Sequence, residues 1–289
     1  MHILLTCAYV AAFVYIIRKW SFFKSEGIPA AWPTYLFLFK IVAGVILGLI
    51  YTYHYTDPKT TDTFKFFNDS TILFQSIWTH PYDFFRMLTG YDAESEELRS
   101  YYLRMDAWLN TNLLFNDNRT IIRLNAIFHF FSLGYYYIHV VFLNFLSFIG
   151  LFSLYKVFER ELPERKKELL LFTFLLPSTL FWGSGLLKDG LLMFGLGVFL
   201  YNFYQFLKFP KEHKRLIPLA LSIGLLCITK FYIIVLLTPG IVIWWLSVKF
   251  KLSRPAIYVL VGYLLFFTCA FNFYRILPEY NLAAMLYWK

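Results

Sequence analysis

The chain has 289 residues, of which 59% are hydrophobic and only 16% charged, with a formal net charge of +9. This balance excludes an ordinary soluble domain and indicates an integral membrane protein. The excess of lysine and arginine falls in short loops between apolar runs, so we expect no nucleic-acid partner.

Runs of predominantly apolar residues predict an all-α integral membrane protein with about eight transmembrane helices. The predicted spans are His2 to Ile17, Thr34 to Tyr55, Tyr135 to Val157, Leu169 to Trp182, Leu186 to Leu207, Leu216 to Ile228, Phe231 to Val248 and Pro255 to Tyr274. The fourth and sixth are shorter than a full crossing, which is typical of helices that end beside a cavity. We expect a single transmembrane domain over residues 1–289.

Basic residues recur in alternate loops of this predicted topology. They are Arg18, Lys19 and Lys24 after the first span, Lys156, Arg160, Arg165, Lys166 and Lys167 after the third, Lys208, Lys211, Lys214 and Arg215 after the fifth, and Lys249, Lys251 and Arg254 after the seventh. Lysine and arginine in short loops are retained on the cytoplasmic side. We therefore expect both termini on the outer face of the plasma membrane, with the site on that outer side.

One long outer-face loop, residues 56–134, is predicted between the second and third spans. Residues 61–78 predict an amphipathic helix on the membrane interface, with Asp62 and Asp69 on a stripe that faces water or a cavity. The opposite, mostly apolar stripe contains Phe67, Thr71, Phe74 and Trp78. Residues 118–133 predict another amphipathic helix, which carries Arg123 and Asn125.

A small polar break interrupts the hydrophobic sequence in PSTLFWGSGLLKDG, residues 177–190. It contains Ser184, Lys188 and Asp189, and charges at membrane depth are costly and usually functional. The alternative is that Lys188 and Asp189 are interface residues that mark the end of one span and the start of the next.

Structural explanations are also open for the other candidates. Asp62 and Asp69 could be solvated carboxylates on an amphipathic helix. Arg123 and Lys230, in the turn between the sixth and seventh spans, could extend towards lipid headgroups. No Cys/His metal cluster occurs, so no cofactor is assigned, and a requirement for a divalent cation stays open.

All these groups belong to the predicted outer face, together with the loop acids. Carboxylates and cations facing outward at membrane depth suit chemistry on a lipid-anchored phosphate. A cation can stabilise the leaving phosphate, and a carboxylate can take a proton from an incoming hydroxyl. Displacement at the anomeric carbon of a phosphate-linked sugar would transfer that sugar with inversion.

The segments DTFKFFNDS from Asp62, RLNAIFHFFSLG from Arg123 and PSTLFWGSGLLKDG from Pro177 resemble those of bacterial multi-span membrane proteins of the GT-C glycosyltransferase type. That family uses polyprenyl-phosphate sugars, in polysaccharide biosynthesis for the cell envelope. The resemblance covers most of the chain. The chain is short for the family, which leaves room for a further segment beyond Tyr287-Trp288-Lys289.

The resemblance implies Asp62 as the catalytic base, with Asp69 as the second candidate. It implies phosphate contacts from Lys188 and Arg123, and we add Lys230 to them. Ser184, Asp189 and Asn125 are then expected to line the same pocket. The commonest family pattern has adjacent acids early in the outer loop, and this chain lacks such a pair there, so the base and any metal remain open.

The leading interpretation is thus a transferase with a polyprenyl-phosphate sugar donor, a glycan, lipid or protein acceptor, and membrane lipids around it. A polymerase or ligase of lipid-linked glycans could use the same cations. A transporter or flippase subunit is the alternative of another class, although such proteins tend to show internal repeats, and none is found. A noncatalytic membrane scaffold is the last alternative.

Overall fold

The computed structural model of the protein describes residues 2–55, 61–109 and 117–275, and within these ranges every regular element is helical. The α-helices are α1 (His2–Lys19), α2 (Trp32–Tyr53), α3 (Asp62–Thr79), α4 (Pro81–Thr89), α5 (Arg99–Tyr102), α6 (Asn118–Ser132), α7 (Tyr136–Glu161), α8 (Lys166–Leu175), α9 (Pro177–Trp182), α10 (Lys188–Lys208), α11 (Leu216–Phe250) and α12 (Pro255–Asn272). The predicted all-α class is confirmed for this part of the chain. The first residues of the predicted outer loop, 56–60, and the C-terminal residues 276–289 lie outside it.

Six helical segments are long and apolar enough to cross a membrane, which indicates a membrane protein. They are His2–Lys19, Trp32–Tyr53, Tyr136–Glu161, Lys188–Lys208, His213–Phe250 and Pro255–Asn272. Two regions account for the difference between six segments and the eight predicted spans. The predicted fourth span is not among the six, and the predicted sixth and seventh spans lie within one continuous helical segment.

The predicted fourth span is broken into two short helices. Helix α8 ends at Leu175, and Leu176 is extended, with φ −56° and ψ 124°, before α9 begins at Pro177. Proline disfavours helical backbone at the preceding residue and cannot donate the helical hydrogen bond. Neither helix, of 10 and 6 residues, is long enough to cross a bilayer alone.

The predicted sixth and seventh spans form α11, whose backbone leaves the helical region at Lys230, with φ −151° and ψ 82°. A straight helix would separate Leu219 from Ile241 by about 33 Å. Both instead line one apolar cavity of about 250 Å³ beside Phe199. The chain therefore folds back at Lys230, in agreement with the predicted turn there.

Helix α7 lies at the centre of the bundle and packs closely against α10. A Cβ atom added at Gly197 would lie 1.8 Å from the carbonyl oxygen of Gly150, and one added at Gly190 would lie 3.2 Å from Leu143. Small residues let membrane helices approach this closely. Leu143 of α7 faces Gly190 of α10, and Gly150, later in α7, faces Gly197, later in α10. The two helices therefore run parallel.

The turns that follow α1, α7 and α10 meet at one end of the bundle. The Lys156 ammonium donates to the carbonyl oxygen of Lys24 at 2.6 Å, and Lys208 pairs with Glu161 at 3.4 Å. These are loops in which the sequence concentrates basic residues, so we name this the basic end. The opposite end carries α3 to α6 and the starts of α7 and α10.

Residues 61–109 and 117–134 form a packed layer rather than a linker. Its core includes Phe66, Leu73, Trp108 and Ile121, and the buried Arg86 binds Glu97 at 2.7 Å. Arg86 also pairs with Asp92, Asp83 and Ser95, and so holds residues 83–97 together. Charge-assisted bonds to a buried guanidinium are expected to hold such a polar segment in one conformation.

Candidate functional site

The polar break between α9 and α10 lies deep in the bundle. A Cβ atom added at Gly185 would lie 2.2 Å from Leu47, and one added at Gly44 would lie 2.3 Å from the carbonyl oxygen of Ser184. Leu47 and Gly44 lie in the middle of α2. Residues 183–187 therefore cross the bundle at mid-length, where only a chain without side chains at these glycines fits.

Lys40 of α2 anchors this break, and sequence reasoning missed it. Its ammonium donates to the carbonyl oxygen of Gly183 at 2.7 Å and to the hydroxyl of Ser184 at 3.0 Å, and its side chain is 0% exposed. Asn144 of α7 donates to the carbonyl oxygen of Ser184 at 2.7 Å. A single lysine inside the apolar α2 sequence was the available signal, because an intramembrane charge suggests a functional or structural contact.

Ser184 is thus placed beside Lys40, buried at 0% exposure. Within the break, Ser184 points toward the inside of the bundle, whereas Lys188 follows four residues later at the start of α10. The hydroxyl of Ser184 is bound to Lys40 of α2 and its carbonyl to Asn144 of α7, and the expectation that Ser184 lines the same pocket as Lys188 stays a prediction.

Lys188 joins the start of α10 to the start of α6. Its ammonium lies 2.8 Å from a carboxylate oxygen of Asp117 and 2.9 Å from the amide oxygen of Asn118. The same ammonium lies 5.8 Å from the centre of the Phe66 ring, within cation–π range. An ammonium has three N–H donors, and among the described residues two of them have acceptors, which leaves the third without one there.

A second ion pair lies next to the first. Asp189 accepts from the Lys230 ammonium at 2.9 Å, which brings the reversal of α11 to the first turn of α10. Asp117 also acts electrostatically on Lys230. Lys188, Lys230, Asp117 and Asp189 therefore form one cluster of two cations and two carboxylates, which we call the paired-charge cluster.

Asp62 lies exposed at the first residue of α3. Residues four apart on a helix lie on the same face, so the Asp62 carboxylate is one turn from Phe66, the ring beneath the Lys188 ammonium. Asp62 also interacts electrostatically with Tyr51 at the end of α2. The Asp62 side chain is therefore open to solvent, one helical turn from the Phe66 ring.

Asp69 has different surroundings from those predicted. It is 0% exposed, and its two oxygens accept hydrogen bonds at 2.8 Å from the backbone N–H groups of Asp106 and Ala107. Burial raises the pKa of the Asp69 carboxyl above its ordinary value, although these N–H groups act in the opposite direction. Asp69 itself therefore faces the inside of the layer, with both oxygens bound to the backbone, and its assignment as a catalytic base stays a prediction.

Arg123 packs inside the α3 to α6 layer. Its Nε donates to the carbonyl oxygen of Met87 at 2.8 Å, and its guanidinium lies 5.4 Å from the centre of the Trp108 ring. Burial, and then the neighbouring Arg119, lowers the pKa of Arg123. These contacts give Arg123 a structural role in fixing the end of α4, and its assignment as a phosphate ligand stays a prediction.

Asn125 belongs to a buried polar network. Its side-chain oxygen lies 2.8 Å from Nδ1 of His139, and its amide donates to the carbonyl oxygen of Ile121 at 2.8 Å. Nε2 of His139 lies 2.7 Å from the hydroxyl of Ser132. The network joins α6 to α7 and occupies both the oxygen and the nitrogen of the Asn125 amide, and the expectation that Asn125 lines the pocket stays a prediction.

Over the described ranges, no three His, Cys, Asp or Glu side chains are grouped closely enough to hold a metal ion. Comparison of the chain with protein-family models, with curated proteins and with solved structures yields no match. Function must therefore be argued from the paired-charge cluster and its surroundings.

Proposed function

We propose that the protein is a membrane glycosyltransferase that moves a sugar from a polyprenyl-phosphate donor to an acceptor hydroxyl. The observation that carries this proposal is the Lys188 ammonium, which Asp117 and Asn118 hold in place and whose third N–H donor has no acceptor among the described residues. A fixed cation and an exposed carboxylate, Asp62, one helical turn from the Phe66 ring, are the two kinds of group that inverting transfer needs.

The proposed reaction is a single displacement. The Asp62 carboxylate removes the proton of the acceptor hydroxyl as its oxygen attacks the anomeric carbon. The bond from that carbon to the phosphate oxygen breaks, and the phosphate keeps the electron pair. Lys188 stabilises the new negative charge, and Lys230, bound to Asp189 at 2.9 Å, is the second cation within the same cluster.

The proposal includes the finer topology. We infer that residues 56–134 lie on the outer face and that the basic end faces the cytoplasm, because lysine and arginine in short loops are retained there. The paired-charge cluster lies at the opposite end from the basic loops. It would then meet a lipid-linked sugar at the outer surface of a bacterial inner membrane.

The first test measures binding of the reaction product, polyprenyl phosphate, which is common to every sugar. The full chain in lipid nanodiscs is titrated with it, and Lys188→Gln should weaken binding by about tenfold or more, because one charge-assisted hydrogen bond contributes about 1.5–3 kcal/mol. Arg99→Gln is the matched control, since Arg99 is 65% exposed and pairs only with the exposed Glu96 among the described residues. Equal binding by both variants would contradict the phosphate assignment.

The second test measures transfer. Proteoliposomes receive polyprenyl-phosphate glucose or polyprenyl-phosphate mannose together with a lipid-linked oligosaccharide as acceptor, and release of free polyprenyl phosphate is followed by mass spectrometry. Asp62→Asn should abolish release with unchanged binding, whereas Glu96→Gln, at an 84% exposed carboxylate of the same layer, should leave it intact. Formation of a longer lipid-linked glycan as the product would favour the polymerase or ligase.

A transporter is the second candidate, favoured by the break at residues 183–187 and the buried Lys40. Discontinuous helices near the membrane midplane are typical of transporter binding sites. Movement of a fluorescent polyprenyl-phosphate analogue between leaflets, without release of polyprenyl phosphate, would support this candidate over the enzyme.

A further inference from the structure

A polar cavity of about 610 Å³ lies at the basic end, away from the paired-charge cluster. The turn after α1, the last turns of α7 and the start of α8 surround it. Its lining residues are Ser21, Phe22, Lys24, Ser25, Glu26, Lys156, Glu159, Arg160, Lys166 and Tyr201. The four cations and two carboxylates in this lining leave an excess positive charge.

The wall of the cavity is fixed by its own contacts. Glu159 is only 8% exposed and pairs with Lys156 at 3.1 Å and Lys166 at 3.8 Å, and it also accepts from the Ser25 hydroxyl. Lys166 donates in addition to the carbonyl oxygen of Glu26 at 3.1 Å. These bonds join three separate chain segments, so the cavity is preformed.

Two cations of the lining carry the excess charge. Arg160 donates to the neutral amide oxygen of Gln205 at 3.0 Å, and Lys24 is exposed at the edge of the cavity. In the described part of the chain neither forms an ion pair with a carboxylate. Both can therefore meet an anion that enters the cavity.

We propose that this cavity binds the phosphate of an anionic phospholipid headgroup. It opens where α1 and α7 end, at the level of the headgroups if these helices span the bilayer. Trp20, 44% exposed, lies 5.2 Å from the Phe22 ring of the lining, and tryptophan is enriched at that level. Basic pockets between helices at the cytoplasmic side suit anionic headgroups. The proposal uses neither Asp62 nor Lys188 and is independent of the glycosyl transfer.

The test uses the purified full chain, titrated with phosphatidylglycerol or phosphatidylcholine and followed by native mass spectrometry. We expect a preference for phosphatidylglycerol that falls about fivefold for each cation removed in Lys24→Gln and in Lys24→Gln/Arg160→Gln. The exposed Lys24 supplies a single variant whose folding should be unchanged. The matched control is Lys211→Gln/Lys214→Gln, which removes the same charge from exposed residues of the turn after α10.

Retained preference in the control and loss in the cavity variants would support the proposal. Equal loss in both double variants would overturn it, because general surface charge would then explain the binding. No preference in the unaltered protein would also overturn it. A parallel titration with inorganic phosphate separates the sources, and displacement of the lipid by free phosphate at equal concentration would assign the cavity to a soluble anion instead.

Discussion

Replacing Asp69 tests whether this buried carboxylate is structural or catalytic. Its two oxygens each accept a backbone N–H at 2.8 Å, from Asp106 and Ala107. A hydrogen bond to a charged group contributes about 1.5–3 kcal/mol, so Asp69→Ala removes about 3–6 kcal/mol of interaction. Part of this is offset, because burying alanine avoids the free-energy cost of desolvating a carboxylate. We therefore expect the free energy of unfolding to fall by about 2–4 kcal/mol.

The loss should be local, because the donors are both in one short segment. Amide hydrogen exchange of residues 103–109, read by mass spectrometry in detergent, should accelerate by about 30-fold to several hundred-fold in Asp69→Ala. Asp69→Asn keeps one acceptor oxygen and should show an intermediate change. Asp106→Asn is the control, since the Asp106 backbone makes the hydrogen bond, whereas its exposed side chain acts on Asp69 through its like charge and not through a hydrogen bond.

The same variants separate the two roles of Asp69. A structural carboxylate predicts faster exchange at residues 103–109, with transfer reduced only as far as the layer opens. Unchanged exchange together with abolished transfer in Asp69→Asn would refute the structural assignment and support Asp69 as the base.

Three further outcomes follow from packing and burial. Gly197→Ala should lower the melting temperature and cost about 1–3 kcal/mol of stability, because the new Cβ would lie 1.8 Å from the Gly150 carbonyl oxygen. Gly224→Ala, where a Cβ meets open space, is the control and should melt like the unaltered protein. Equal melting temperatures for the two variants would contradict the close packing of α7 and α10. Lys40→Met should accelerate amide hydrogen exchange of residues 183–187 by about 5- to 30-fold, since an interhelical hydrogen bond in a membrane contributes about 1–2 kcal/mol. Unchanged exchange would show that the Lys40 hydrogen bonds are not needed to hold this segment. Burial lowers the pKa of His129 to about 4, so at acidic pH the unfolded state binds more protons at this residue than the folded state does. The free energy of unfolding should therefore fall by about 2 kcal/mol between pH 7.5 and 5. If melting of His129→Gln kept the same pH dependence, this explanation would be wrong.

The sequence could predict only the part of the candidate site whose residues lie close together in the chain. The break at residues 183–187 and the charged start of α10 were visible, because glycine and paired charges stand out in an apolar run. Lys188 and Asp189 were singled out, but their partners were not. Asp117 lies 71 residues before Lys188, and no local periodicity relates residues so far apart.

The surroundings of three candidate residues could not be predicted from the sequence. Asp69, Arg123 and Asn125 are polar residues on amphipathic helices, and an amphipathic pattern does not say whether a polar side chain meets water, a cavity or another chain segment. In α3 and α6 these side chains face other chain segments that supply backbone and imidazole partners. Burial of a polar group depends on such partners, which only the folded chain provides.

The helical class, the long apolar segments and the basic residues in alternate loops can all be read from the amino-acid sequence. These properties follow from composition and from the length of a helix that matches a bilayer. The reversal of α11 beside Asp189, the contact of Lys40 with the break and the pairing of Asp117 with Lys188 became known from the folded chain. Pairing between distant groups depends on how helices pack against one another, and that packing is set by contacts among many side chains together.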